Sequence, residues 1–170
     1  MLTVLTFGDR EYLIFLTVLV GCRLMDLVST WVATPNLVLE GNPVARRLGW
    51  RLGLVVNAGM CLMLAFWPMA TIIVATTSLL VAARNFRTAW LMRSMGEERY
   101  LIFMLNQLRV TPPSLFLFCL VGETGLMAVI GAGLMAFSSA ATVAFSVGAG
   151  FIAYAVAVLF YSCLSLWKAR

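Results

Sequence analysis

Five apolar runs, each near the ~20 residues that cross ~30 Å of hydrocarbon, limit what this chain can fold into. They cover approximately residues 12–33, 51–67, 69–92, 114–137 and 141–166. Turn and proline signals divide them: Thr34-Pro35-Asn36 after the first run, Pro68 between the second and third, and Thr111-Pro112-Pro113-Ser114 before the fourth. Proline restricts its neighbour and asparagine favours turns, so helices stop there. With 62% apolar and only 11% charged residues, against roughly 25% charged in soluble domains, no second, soluble domain is expected. The expectation is one all-α integral membrane domain over residues 1–170, a five-helix transmembrane bundle. The second helix has a second possible start, because Asn42 can cap it and Pro43 suits a first helical position.

The segment "RSMGEERYLIFMLNQLRVTPP" between the third and fourth runs is too short and too charged to span. Polar residues flank an apolar centre, so residues 96–109 read as a helix lying in the membrane interface, with a re-entrant segment as the alternative. Basic residues set the expected orientation. Arg46, Arg47 and Arg51 follow the first run; Arg93, Arg99 and Arg109 follow the third; Lys168 and Arg170 end the chain; Arg10 stands alone on the other side. The positive-inside rule then puts the N-terminus outside and the C-terminus in the cytoplasm, consistent with five crossings of the inner (plasma) membrane. Trp31, Trp50, Trp90 and Trp167 fall near the predicted cytoplasmic ends and Trp67 near an outer one, as an aromatic belt would.

Several function classes are set aside. The net charge of +5 comes mainly from arginines beside apolar runs, which suits anionic lipid better than nucleic acid. The N-terminal "MLTVLTFGDREYLIF" lacks the basic leading region of a signal peptide. Cys22, Cys61, Cys119 and Cys163 lie in apolar runs without metal-type spacing, and the chain has no histidine. No metal site and no cofactor are therefore expected, nor a Ser-His-Asp triad, a Walker loop or a dinucleotide fingerprint.

The informative residues are polar ones inside apolar runs, because each needs a partner or water. "RLMDLVST" carries Arg23, Asp26 and Thr30 at spacings of three and four, on one helix face. Asn57 on the second run, Arg84, Asn85 and Arg87 on the third and Glu123 on the fourth lie at a similar depth. That depth is roughly 8–14 Å below the expected cytoplasmic surface at 1.5 Å per residue. Glu40 joins them from the loop. An unpaired charge at mid-bilayer costs at least ~2.5 kcal/mol on insertion scales, so these charges are expected to neutralise one another within a shared polar layer. The layer reads either as structural glue or as a cytoplasm-facing pocket. Clustered arginines suit phosphate or carboxylate; Asp26 and Glu123 with Asn57 and Asn85 suit a cation. No spacing selects a catalytic residue, so enzyme status stays open.

The order Asp26, Ser29-Thr30, then Glu40-Gly41-Asn42-Pro43 resembles an uncharacterised family of small prokaryotic membrane proteins, which look like Asp-x-x-Thr-Thr followed by Glu-x-Asn-Pro. Here serine replaces the first threonine and the intervening loop is longer. The resemblance covers about 20 residues and implies that Asp26, Thr30, Glu40 and Asn42 act together; it implies no activity. The leading expectation is a non-enzymatic membrane protein, an accessory subunit or small transporter-like module. The alternative is a membrane enzyme acting on a lipid-linked or phosphate-bearing headgroup substrate. Expected partners are membrane lipids and a homodimer or larger membrane complex formed through the small-residue faces of the fourth and fifth spans. Gly122, Gly125, Gly131 and Gly133 mark the former, and Ala149, Ala153 and Ala157 the latter. Internal packing of these faces is the competing explanation.

Overall fold

The computed structural model describes residues 4–140 and 142–169. Ala141 and Arg170, assigned above to the last span and the basic tail, lie outside the described residues. Six helices follow one another: α1 (Arg10–Ala33), α2 (Pro43–Leu64), α3 (Pro68–Met95), α4 (Glu97–Val110), α5 (Pro113–Ala136) and α6 (Val143–Ala169). No strand occurs among the described residues.

Four of the helices, α1, α3, α5 and α6, are long and apolar enough to cross a membrane, which makes the chain a multi-pass membrane protein. The expected five-span bundle is therefore corrected to six helices with four candidate spans, and the placement of the two termini on opposite sides, which requires an odd number of crossings, falls with it. The physical reason lies in α2. Its first half carries Arg46, Arg47 and Arg51, and Gly49 breaks the helix with φ 65° and ψ −175°. The regular stretch after Gly49 is only ~22 Å long at 1.5 Å per residue. The helix starts where its capping residue places it: Pro43 is the first helical residue and the Asn42 side chain accepts from the amides of Val44 and Ala45.

α3 is the central helix. On one side Leu19 of α1, Cys61 of α2 and Ala75 of α3 form an apolar cluster. On the other, Leu120 of α5 and Tyr154 and Val158 of α6 form a second one against Leu80 and Val81 of α3. α1 and α3 run parallel, since Arg23 meets Ser78, and Ser29 and Thr30 both meet Asn85. The face of α3 turned to α1 carries Thr71, Ala75, Ser78, Ala82, Asn85 and Ala89 at alternating spacings of four and three. That repeat keeps one seam facing a partner helix, and small side chains bring the backbones close. α2 returns antiparallel along α1: the Trp50 indole donates to the Pro35 carbonyl at 2.7 Å, Arg23 meets Asn57, and the Tyr12 hydroxyl donates to the Leu62 carbonyl at 3.1 Å.

α5 and α6 pack antiparallel through glycine. A Cβ on Gly131 would stand 2.6 Å from the Gly148 carbonyl oxygen, and one on Gly148 would stand 2.5 Å from that of Gly131. Gly150 lies equally tight against α3, with Thr76 Cβ 2.7 Å from the Cβ it lacks. Internal packing thus uses Gly131, Gly148 and Gly150, whereas Gly122, Gly125 and Gly133 face open space. Gly148→Ala should lower the melting temperature in detergent, because overpacking against backbone costs about 1–3 kcal/mol. Gly122→Ala should leave it unchanged or slightly raised. Equal behaviour of the two variants in a thermal-shift assay would contradict the close α5–α6 contact.

Candidate functional site

Arg23 is the hub of a polar network joining three helices. Its Nη1 donates to Asp26 Oδ2 at 2.7 Å and to Ser78 Oγ at 3.0 Å; its Nε donates to Asn57 Oδ1 at 2.9 Å, and its Nη2 donates to the same oxygen. Asp26 stands one turn below on α1, which is why the spacing of three residues makes an ion pair. Asn57 is itself fixed, since its Nδ2 donates to the Gly53 carbonyl at 2.7 Å and leaves Oδ1 free to accept. The network continues toward the arginine-rich end. Asn85 Nδ2 reaches Ser29 Oγ and Thr30 Oγ1, both at 3.2 Å, and Ser29 donates to the Asp26 carbonyl.

The side chains of Arg23 and Asp26 are 21% and 14% exposed, inside the bundle, whereas those of Arg84 and Glu123 are 37% and 39% exposed. Arg84 on α3 and Glu123 on α5 form a separate pair at the bundle's edge, 3.5 Å apart. That geometry is loose: the buried Arg84 Nη1 makes no hydrogen bond. Arg87 is exposed and pairs with no carboxylate among the described residues. The expected single chamber is thus two sites, an interior network on α1, α2 and α3 and a peripheral pair between α3 and α5. The physical reason is rotation about α3. Adjacent residues differ by 100° around a helix, so Asn85 faces α1 while Arg84 faces α5. Glu40 lies within Coulombic reach of Asp26, and its carboxylate accepts from the Asn42 amide at 2.8 Å. Asn42 caps α2 and joins no ligand-like cluster. Among the described residues no group of His, Cys, Asp and Glu could hold a metal ion. A cavity of about 460 Å³ lies at the opposite end of the bundle beside Glu11, Pro68 and Ser146, away from the network.

Two contributors went unnoticed in the sequence. Ser78 lies seven residues before Asn85, on the same α3 face, and that spacing was the available signal. Glu97 had none, because its partners are remote in sequence. Its carboxylate accepts from the Thr34 hydroxyl at 2.5 Å, from the Asn36 amide and side chain at 2.9 Å each, and from the Val38 amide at 3.1 Å. Leu37 adopts the left-handed conformation with φ 57° between the two donating amides. The loop after α1 thereby forms a small anion-binding nest around the first residue of α4.

Partial burial pushes the Glu97 carboxyl upward, but the hydrogen bonds from Thr34, Asn36 and Val38 outweigh it and hold the group below its ordinary value of 4.5. A carboxylate with a depressed folded value stabilises the loop fully above the unfolded value and loses that contribution as pH falls through the folded one. Protection of the Asn36 and Val38 amides from hydrogen exchange, corrected for intrinsic rates, should therefore persist at pH 5 and fall only below the ordinary carboxyl value. In Glu97→Gln these amides should exchange at least ~10-fold faster at neutral pH, with no acid transition. Equal protection in the variant would contradict the nest.

Comparison with protein-family models, with curated proteins and with solved structures gives no match, so the reading of this site rests on its own chemistry.

Proposed function

We propose that this chain is a non-enzymatic protein of the inner (plasma) membrane, an accessory subunit whose α1–α2–α3 unit is held in register by Arg23. The observation that carries the reading is how many of the guanidinium's donors the protein itself occupies. Of its five N–H donors, four hydrogen bonds go to protein groups on α1, α2 and α3. An arginine so occupied, with its charge neutralised one turn away, is suited to fixing helices rather than to binding and releasing a ligand. The resemblance at residues 26–43 is in keeping with this: Asp26 and Thr30 belong to the network, Glu40 holds the Asn42 amide, and Asn42 caps α2.

The test separates a scaffold from a transporter and an enzyme. Removing one member of a buried ion pair costs about 3–5 kcal/mol, whereas replacing both with apolar groups is often nearly neutral. Arg23→Met should therefore lower folded yield and melting temperature, and Arg23→Met combined with Asp26→Leu should recover most of the loss. Asp26→Asn should also lower folded yield, while the fraction that folds matches wild type in proton and ion flux measured in proteoliposomes. An Asp26→Asn protein that folds normally but loses a flux carried by wild type would replace this reading with a transporter. A change in membrane lipid composition on expression that Asp26→Asn abolishes would replace it with an enzyme.

A further inference from the structure

The pair between α3 and α5 has chemistry that the interior network lacks. Arg84 Nη1 is shielded from solvent yet donates to nothing, and its nearest carboxylate oxygen, on Glu123, is 3.5 Å away. A donor without an acceptor on a membrane-spanning helix is costly, because no bulk water is available to satisfy it. The rest of the Arg84 side chain is open to the surroundings of the bundle at 37% exposure, so an acceptor can arrive from outside. Arg87 lies three residues on, which places its Cβ ~5–6 Å away along the same side of α3, and it too is exposed. Two guanidinium groups against the one carboxylate of Glu123 leave a single net positive charge at this place.

The tryptophans fix the level. α1 and α3 pair with an offset of 55 or 56 residues, so Trp31 stands level with Phe86 and Arg87. Trp31 and Trp90 are 53% and 69% exposed, and exposed tryptophan rings favour the headgroup boundary. Arg87 therefore lies at that boundary. Arg84 is only ~4.5 Å deeper at 1.5 Å per residue, within reach of its own side chain by snorkelling.

We propose that Arg84 and Arg87, with Glu123 as counter-charge, form a binding site on the α3–α5 face for the phosphodiester of an anionic phospholipid. A phosphodiester carries one negative charge, equal and opposite to the net charge of the three residues. It offers two acceptor oxygens, one for each guanidinium, and charge-assisted bonds of this kind are among the strong ones. A zwitterionic headgroup brings its own cation and matches the site less well. The proposal uses none of the residues of the Arg23 network, so it stands or falls separately from the scaffold reading.

The full-length protein in detergent, titrated with phosphatidylglycerol or phosphatidylcholine and read by native mass spectrometry, tests it. One phosphatidylglycerol should bind in clear preference to phosphatidylcholine, and inorganic phosphate should not displace it. Arg84→Gln/Arg87→Gln should weaken retention roughly tenfold or more while leaving phosphatidylcholine binding unchanged. Glu123→Gln, which releases Arg84 from its competing partner, should retain phosphatidylglycerol more tightly than wild type; it carries the test if the arginine variant does not fold. Equal retention of the two lipids, displacement by inorganic phosphate, or weaker binding in Glu123→Gln would overturn the proposal.

Discussion

A guanidinium inside a bundle of apolar helices must be neutralised by the protein itself, and the arrangement of α1, α2 and α3 follows from that requirement. Arg23 lies eight residues before Trp31 on α1, ~12 Å along the axis at 1.5 Å per residue. That is too far for its head to reach the boundary comfortably. Asp26 supplies the opposite charge from the same helix, so the ion pair needs no tertiary structure to form. The remaining donors do need it, and Asn57 and Ser78 are where α2 and α3 must stand to supply acceptors. Association of helices in lipid has little hydrophobic drive, because acyl chains are as apolar as leucine. Polar contacts and close packing take its place here.

Close packing is visible on both sides of α3. Toward α1, the seam of Thr71, Ala75, Ser78, Ala82, Asn85 and Ala89 is made of small or polar side chains. That leaves room for the larger Leu19 and Arg23 of α1. Toward α6, Gly150 stands against Thr76, and the Thr77 hydroxyl donates to the Ile73 and Gly150 carbonyls at 2.9 and 3.1 Å. α3 is thus the element through which the Arg23 network and the glycine-packed α5–α6 pair are connected. The loop after α1 is secured separately by Glu97, so the arginine-rich end has its own local order.

The membrane class, the proline breaks and the Arg23–Asp26 face were legible in the sequence because each depends on local spacing or composition. The cap at Asn42 was legible for the same reason. The number of candidate spans was not, since α2 combines apolar residues with three arginines and a glycine kink, and run length alone overlooks both. The split of the polar layer into two sites was also hidden: depth can be counted along a helix, but the direction of Arg84 away from Asn85 depends on which neighbour covers each face of α3. Glu97 was the hardest to see, because its donors are more than fifty residues away and half of them are backbone amides, which leave no trace in side-chain patterns.

The central claim is that Arg23 is held by protein groups and not by lipid or water. Solid-state NMR on uniformly labelled protein in phospholipid bilayers measures this directly, through dipolar contacts from the Arg23 guanidinium nitrogens. Short nitrogen–carbon contacts to the Asp26 carboxylate and the Asn57 side-chain amide are expected, with no contact to lipid phosphorus. A strong phosphorus contact at Arg23, with the Asn57 contact missing, would contradict it.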